Sequence, residues 1–404
     1  MPIDCPPLID TVAPTEAAEV AAVVRNACRD GVPVYPIGGG TALDYGGRPA
    51  APGIGLSLEK LGRVIDYPAE DMTITVEAGI SVAQLAEHLA ANRQRLPLDV
   101  PDADRATIGG VVAANPSGPR RYAYGTMRDY LIGFRAVDGR GNEFGGGGRV
   151  VKNAAGYDLC KLMVGSLGAL GVITQVTLMV RPVPETSALV VCEVPDFGAA
   201  ERLLAGLVHT KTLPAAIELL AGPRQPPSPV LGPMLESSAA RIIVGFEGSE
   251  AEVDWMVEQV CGEWAEIGIN SPLTVAAEDA ATGWGWLGGL PADVQAHVLP
   301  GATVPLIERL LQTSLVSSLQ AHAGNGVIRF RLSASEIPLA QLLGDELRPA
   351  AAEAGGTMVA LSHGDGRQLT AEEAWGAAGP AATLAGALRE RFDPQGLLNP
   401  GRLA

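Results

Sequence analysis

The sequence predicts an α+β fold with more than one domain, and three observations lead to this prediction. Helical and strand patterns alternate from residue 15 onwards. The turn-forming stretch "PVPET" at residues 182–186 is followed by a new series of strands and helices. The chain has 404 residues, of which 47% are hydrophobic and 18% charged, so it is long enough for two or three domains.

The first half of the chain predicts helices and strands in turn. Residues 15–30 carry apolar side chains at helical spacing, with Thr15 as the capping residue and Gly31 at the C-terminal end. The strand "VPVYPI" follows and runs into a group of glycines. The stretch "MTITVEAG" then alternates with the period of a strand, and Ser81 is placed to cap a second helix.

The second half predicts a different arrangement. After "PVPET" come a strand "ALVVCEV", a helix near residues 197–209 and a strand "AAIELL". A proline-rich loop follows, and then a strand "RIIVGFE" and a helix near residues 249–266. This order resembles a ferredoxin-like layer of helices on an antiparallel sheet. Alanine-rich helices are predicted for much of residues 335–391, and no repeat of fixed period is visible.

Composition and charge exclude several classes of function. The chain has 29 basic and 45 acidic residues, a net charge of −16, and an acidic surface repels nucleic acid and anionic lipids. No stretch is apolar enough to predict a spanning helix, and "MPIDCPPLID" has no pattern of an export signal. The five cysteines are scattered without a CxxC pair, which predicts reduced thiols in a cytoplasmic protein rather than a disulfide, zinc or iron–sulfur site.

Three glycine-containing segments stand out in the first 180 residues: "PIGGGT" (36–41), "PDADRATIGGVVAANPSGPRR" (101–121) and "GYDLCKLMVGSLGALGVIT" (156–174). Small residues beside a strand or a helix start let backbone N–H groups converge on an anion the size of a diphosphate. Neither the lysine of a P-loop nor the third glycine of a Rossmann fingerprint is present, because Leu43 and Asp44 follow the first glycines. The alternative is three unrelated glycine turns.

In this order the segments resemble the FAD-binding domain of the family that contains vanillyl-alcohol oxidase, p-cresol methylhydroxylase and the D-2-hydroxyacid dehydrogenases. The C-terminal stretch "FDPQGLLNPGRL" is also typical of this family. The resemblance implies an α+β protein with a two-subdomain FAD-binding domain over residues 1–184, split near 66–70. It further implies a ferredoxin-like cap domain for the substrate over 185–390, and a tail, 391–404, that returns to the flavin.

The resemblance also assigns residues to the cofactor. They are Pro36, Ile37, Gly38, Gly39, Gly40, Thr41, Gly79, Pro101, Thr107, Gly109, Gly110, Ala113, Gly118, Gly168, Gly171, Val172, Ile173 and Asn399. The first loop has no histidine that could tether the flavin, so FAD is expected to bind non-covalently. At Leu167 the sequence departs from the wider family, which often has an acidic residue there.

Two longer stretches, "SGPRRYAYGTMRDYLIG" and "VVKNAAGYDLCKLMVGSLG", resemble the smaller FAD-binding subunits of bacterial glycolate oxidases. This implies partnership with a larger FAD-binding subunit and an iron–sulfur subunit, in a complex that oxidises glycolate or a similar 2-hydroxy acid to the 2-oxo acid. Two alternatives stay open: a dehydrogenase for another D-2-hydroxy acid such as D-lactate, and a non-catalytic scaffold or electron-relay subunit. The expected location is cytoplasmic, with peripheral association at the inner face of the plasma membrane open through the complex.

The candidate catalytic residues are His363, Arg329 and His322. In the D-2-hydroxyacid relatives, histidines and a glutamate from two motifs bind a divalent metal; here Arg329 and Ser362 stand at two ligand positions, so no metal site is expected. The functional interpretation makes His363 a general base and Arg329 a clamp for the substrate carboxylate. The alternatives are structural histidines and a degenerate active site.

Overall fold

The computed structural model describes residues 7–149, 157–269, 272–362, 369–377, 379 and 382–403. The strands are β1 (Leu8–Val12), β2 (Val34–Ile37), β3 (Gly53–Ser57), β4 (Val64–Asp66), β5 (Thr73–Glu77), β6 (Gln94–Arg95), β7 (Leu131–Val137), β8 (Glu143–Gly147), β9 (Val172–Met179), β10 (Arg181–Pro182), β11 (Thr186–Val194), β12 (Ala216–Ala221), β13 (Ala240–Gly248), β14 (Leu273–Ala276), β15 (Val294–His297), β16 (Val316–His322), β17 (Val327–Leu332) and β18 (Thr357–Ala360).

The helices are α1 (Ala17–Asp30), α2 (Val82–Ala90), α3 (Ile108–Ala114), α4 (Arg121–Tyr124), α5 (Met127–Tyr130), α6 (Leu159–Met163), α7 (Phe197–Leu207), α8 (Glu250–Glu266), α9 (Ala277–Gly288), α10 (Thr303–Gln312), α11 (Leu339–Leu342), α12 (Arg348–Glu353), α13 (Ala371–Trp375) and α14 (Ala382–Phe392). Across the described residues, no helix is both long and apolar enough to cross a membrane.

The helix ends follow the predicted signals with one exception. Gly31 ends α1 in the left-handed conformation, with a φ of 67°. Ser81 caps α2 and forms a capping box with Gln84. The prediction for Thr15 is wrong, because α1 begins two residues later and has no side-chain cap. The Glu19 carboxylate instead turns back and accepts hydrogen bonds from the Thr15 backbone N–H (2.7 Å) and hydroxyl (3.1 Å).

The chain divides into two compact units. The described part of the first unit comprises the chain up to Ser117, Thr126–Val183 and the C-terminal segment from Leu369. It contains a parallel sheet of order β1-β3-β2 and an antiparallel sheet of order β4-β5-β9-β7-β8. Leu398 pairs in parallel with Val34 of β2, so the C-terminal segment lies along the strand that leads into the first glycine loop.

The second unit contains Gly118–Gly125 and the chain from Pro184 to Ser362. Its strands form one antiparallel sheet in the order β14-β11-β13-β12-β16-β17-β15-β18. The first four strands follow the ferredoxin-like arrangement that the sequence predicts. The last four repeat the same arrangement in mirror order, with β12 and β16 joining the two halves. This second ferredoxin-like motif was not predicted, because its elements are shorter and their spacing differs.

Helix α9 covers one face of this sheet. Its Trp284 is 2% exposed, and a Cβ atom at Gly245 of β13 would lie 2.1 Å from the Trp284 ring, so only glycine fits there. Leu189, Ile243 and Leu287 belong to the same buried apolar cluster. The helix therefore covers the strands of the first ferredoxin-like motif. Polar side chains lie on the same face of the sheet, where β12 pairs with β16.

Candidate functional site

The first glycine loop packs against the second glycine segment within the first unit. A Cβ atom at Gly38 would lie 2.0 Å from the Thr107 Oγ1 atom, and one at Gly39 would lie 1.6 Å from the Arg105 carbonyl oxygen. The Arg105 Nη2 group also donates to the Gly39 carbonyl at 3.1 Å. Gly39 is therefore required because two stretches of the protein's own backbone approach each other closely, and Gly38 makes room for the Thr107 side chain.

The glycines of the second segment differ in their surroundings. A Cβ atom at Gly109 would lie 2.7 Å from the Ala78 Cβ, whereas one at Gly110 would meet only the Thr107 hydroxyl, at 3.3 Å. Gly110 is also exposed. At Gly79 a Cβ would lie 1.8 Å from the Leu58 carbonyl oxygen. Packing thus explains Gly79 and Gly109, while Gly110 presents open backbone at the beginning of α3.

The third segment and the C-terminal segment meet at the end of β2. The Asn399 N–H donates to the Val34 carbonyl at 2.8 Å, and its Nδ2 donates to the Leu167 carbonyl at 2.5 Å. A Cβ atom at Gly168 would lie 3.4 Å from the Pro36 Cγ and 3.7 Å from the Asn399 Nδ2. The structure therefore brings together Pro36, Gly168 and Asn399, which lie far apart in the sequence.

The other residues predicted to contact the cofactor have varied positions. Ile37 is the last residue of β2, and Gly40 and Thr41 lie in the first glycine loop that follows it. Pro101 lies in an exposed turn, and Ala113 is in α3. Gly171 packs on the Phe144 ring. The side chains of Val172 and Ile173 are 0% and 4% exposed and belong to the core, so only their backbone could face a ligand. Gly118 belongs to the second unit.

Two buried polar atoms in this region have no hydrogen-bond partner in the described part of the chain: the Asn115 Oδ1 and the Ser166 Oγ. Their segments are tied together by two backbone hydrogen bonds, from the Gly165 N–H to the Val112 carbonyl and from the Leu167 N–H to the Ala113 carbonyl (2.9 Å). An unsatisfied buried polar atom costs about 1–3 kcal/mol. This region is therefore suited to a ligand that carries its own polar groups.

A second polar cluster lies in the second unit, where β12 pairs with β16. The His322 Nδ1 donates to both oxygens of Glu218, at 2.8 and 3.0 Å. Gln320 Nε2 donates to Glu218 as well, at 2.7 Å, and to the Leu287 carbonyl of α9 at 3.0 Å. Glu218 is 0% exposed and His322 1%. This carboxylate is therefore fully desolvated and stabilised by two side chains that donate to it.

Arg329 of β17 lies beside this cluster. It is paired directly with Gln320 of β16. Burial lowers the pKa of Arg329, against the opposing effect of the Glu218 charge. Its guanidinium forms no hydrogen bond or ion pair with any residue that the structure describes. A partly buried cation without a hydrogen-bonded partner is a strong attractor for an anion such as a carboxylate. His363, the third predicted catalytic residue, lies outside the described residues.

The sequence analysis did not predict His297 and Gln295 of β15 as part of this face. Gln295 pairs with Arg329, and its Nε2 donates to the His297 Nε2 at 2.7 Å. Desolvation, together with electrostatic repulsion from Arg121 and His322, lowers the pKa of His297, which favours its neutral imidazole. The strand alternation of "VQAH" would have placed both side chains on one face.

Glu218 was also missed, although its position carried a signal. In "AIELL" it is a lone charged residue at an otherwise apolar strand position, and a charge is buried only where a partner exists. Within the described ranges, no group of three or more histidine, cysteine, aspartate or glutamate side chains is placed to hold a metal ion.

The motif "SGPRR" has a structural role in the second unit. The Arg120 Nε donates to Glu247 at 2.8 Å, and the Glu247 side chain is 1% exposed. The Arg120 guanidinium also lies 4.2 Å from the centroid of the Trp284 ring, a cation–π contact. Both contacts fix the segment Gly118–Gly125 to the face of the sheet that α9 covers.

Comparison with known families agrees with these features. Residues 10–144 match the family described as "FAD binding domain", and residues 183–403 match "FAD linked oxidases, C-terminal domain". The two matched families and the fold define a FAD-dependent oxidoreductase. Because the second match covers more than half of the chain, the protein belongs to the family of FAD-linked oxidases. The predicted family, fold class and cofactor are confirmed.

Known relatives extend over most of the chain. The glycolate oxidase subunit GlcE of Escherichia coli is 29% identical, and the alignment covers 94% of this chain and 95% of the relative. GlcD of Bacillus subtilis is 26% identical, with 97% and 88% covered. The D-lactate dehydrogenase of Archaeoglobus fulgidus is 37% identical over 52% of this chain and 46% of its own length.

Among solved structures, an alkyldihydroxyacetonephosphate synthase matches 96% of this chain and 75% of its own chain. The TM-score is 0.68 and the sequence identity 18%. A likeness at this identity concerns the fold alone.

Proposed function

We propose that this protein is the FAD-binding subunit of a glycolate oxidase or dehydrogenase complex that oxidises glycolate, or a similar 2-hydroxy acid, to the 2-oxo acid. The observation that carries the proposal is Arg329, a partly buried cation without a hydrogen-bonded partner among the described residues. Such a cation is suited to a substrate carboxylate. The GlcE and GlcD relatives, which cover nearly the whole chain, support the assignment to a glycolate oxidase complex.

The cofactor site of this proposal lies in the first unit. Non-covalent FAD would be held by the backbone of the first glycine loop, the start of α3 and the segment around Gly168. The unpartnered Asn115 Oδ1 and Ser166 Oγ atoms and the open backbone at Gly110 fit a ligand with several hydrogen-bonding groups. FAD supplies the two-electron acceptor for the oxidation.

The protein's own residues would bind the substrate and move its proton. Arg329 would pair bidentately with the carboxylate and fix the position of C2. Glu218 would hold the His322 ring in one orientation, since two hydrogen bonds fix its Nδ1. His363 would take the hydroxyl proton as general base.

A second candidate is a non-catalytic subunit that carries flavin as a scaffold or relays electrons. One observation favours it: His322 is 1% exposed and its Nδ1 is held by Glu218, an arrangement that is common for structural histidines. In both cases the partners would be a larger FAD-binding subunit and an iron–sulfur subunit, and any association with the inner face of the plasma membrane would arise through this complex.

Anaerobic addition of glycolate to the purified, flavin-containing chain separates these candidates. General-base catalysis alone contributes only about 10²–10⁴-fold, and two metal-ligand positions of the relatives are occupied by Arg329 and Ser362. We therefore expect the flavin of the isolated chain to stay oxidised, and to be reduced once the larger flavoprotein and iron–sulfur chains are present. Rapid bleaching of the isolated chain by glycolate would contradict the prediction, and D-lactate in parallel tests the substrate.

Arg329→Gln tests the carboxylate clamp in the reconstituted complex. A hydrogen bond to a charged group is worth about 1.5–3 kcal/mol, so KM for glycolate should rise by about 10- to 100-fold. The matched control is Arg309→Gln, which removes an arginine of the same unit that pairs with Glu353 at the surface. An unchanged KM in Arg329→Gln would remove the role proposed for this residue. If neither variant changes KM for glycolate while FAD-dependent turnover is intact, the substrate binds elsewhere.

A further inference from the structure

A cleft of about 220 Å³ lies in the second unit, beside the start of β16 and the end of β17. It is lined by Arg224, Pro226, Ser317, Ser318, Arg331, Leu332, Ser333 and Ala334. Arg331 follows Arg329 on the same face of β17, about 7 Å further along the strand. Two arginines and three serines make the lining largely polar and basic, in a protein whose net charge is −16.

The two arginines of the cleft are weakly neutralised. The Arg331 Nε lies 3.9 Å from the Asp293 Oδ2. That oxygen already accepts the Leu332 N–H at 3.0 Å, while the other Asp293 oxygen accepts the Ser362 hydroxyl at 3.2 Å. Arg224 is exposed, and its side chain makes no ion pair or hydrogen bond with the residues that the structure describes. Two like charges in one cleft repel each other, and an anion between them would relieve this repulsion.

The cleft also contains a hydroxyl group suited to the same ligand. Ser318 is 6% exposed, and its hydroxyl makes no hydrogen bond to any described residue. The neighbouring Ser317 hydroxyl is used differently, because it donates to the carbonyls of Arg331 and Leu332, both at 3.3 Å. The register of β16 is irregular between Val316 and Ser318. This irregularity lets the two neighbouring serine hydroxyls have different surroundings. Ser318 therefore offers a buried O–H donor in a cleft that already has two guanidinium groups.

We propose that this cleft binds a tetrahedral oxyanion, namely inorganic phosphate or the phosphate group of a small metabolite. Two planar guanidinium forks and one hydroxyl supply more donors than the two oxygens of a monocarboxylate can accept. A phosphate dianion has enough oxygens for all of them and carries the two charges that the arginines would balance. The site is separate from the carboxylate clamp proposed for Arg329 and does not depend on oxidation chemistry.

Isothermal titration of the purified, flavin-containing chain with inorganic phosphate at low ionic strength tests this assignment. We expect saturable binding with one phosphate per chain and a Kd of about 1 mM or lower. Arg331→Gln and Ser318→Ala should each weaken binding, the arginine change by about 10-fold or more. The matched control is Arg202→Gln, which removes an exposed arginine of α7 in the same unit and should leave the affinity unchanged.

A phosphate monoester and acetate complete the test. The monoester should compete with inorganic phosphate, and acetate should bind at least about 10-fold more weakly. Absence of saturable phosphate binding, or equal affinity in Arg331→Gln and the unmodified chain, would overturn the proposal. Equal affinity for acetate would show a carboxylate site instead. Circular dichroism melting of each variant separates loss of the site from loss of the fold, since the Arg331 side chain is 51% exposed and its replacement should leave the fold intact.

Discussion

Replacing Glu218 by alanine should destabilise the second unit strongly. The Glu218 carboxylate is 0% exposed and accepts hydrogen bonds from His322 and Gln320. Its removal leaves two buried donors without a partner. Each hydrogen bond to a charged group is worth about 1.5–3 kcal/mol, which gives about 3–6 kcal/mol for the pair of donors. We therefore expect Glu218→Ala to lower the free energy of unfolding of this unit by about 4 kcal/mol.

Urea unfolding followed by tryptophan fluorescence measures this cost, because Trp284 is buried in the same unit. With an m-value of about 2 kcal/mol/M, a loss of 4 kcal/mol lowers the unfolding midpoint of this unit by about 2 M. Glu353→Ala is the control, since this glutamate forms an exposed ion pair with Arg309. Exposed pairs contribute little, and its midpoint should be unchanged within error.

A double-mutant cycle tests whether Glu218 acts through His322. In the double variant Glu218→Ala/His322→Ala, both the carboxylate and the imidazole are absent, so neither remains buried without its partner. The loss of stability should therefore be smaller than the sum of the losses in the two single variants. We expect a coupling of about 1–3 kcal/mol. A midpoint shift below about 0.5 M for Glu218→Ala, or strictly additive single effects, would refute the assignment of a strong buried pair and leave His322 an ordinary core residue.

Two further predictions concern the first unit. Gly39→Ala should lower both the melting temperature of the apoprotein and the FAD content, because its Cβ would lie 1.6 Å from the Arg105 carbonyl oxygen. Gly110→Ala should keep the melting temperature of the apoprotein and lower only the FAD affinity. Full flavin binding in Gly110→Ala would move the cofactor away from α3. Acid precipitation should release all of the flavin into the supernatant, since the loop "PIGGGT" has no tethering side chain; flavin fluorescence that stays with the precipitated chain would contradict non-covalent binding.

Much of the fold and the cofactor could be predicted from the sequence. Gly31 and Ser81 mark helix ends through local backbone geometry, and short apolar runs mark the buried strands β11 to β13. The three glycine segments, taken in order, indicate a diphosphate-binding region, and their resemblance to a known FAD-binding family predicts the flavin. These features depend on neighbours a few residues away, so the chain carries them in its local pattern.

The residues that define the candidate sites depended on tertiary structure. Glu218 and His322 are 104 residues apart, and only the pairing of β12 with β16 places them in contact. Gly39 looked like a residue that makes room for a ligand, yet its nearest obstacle is the Arg105 carbonyl oxygen. Strand order and close backbone contacts depend on which surfaces bury each other across the whole chain. The residue pattern of a single segment shows its periodicity, but it does not show which other segment it packs against.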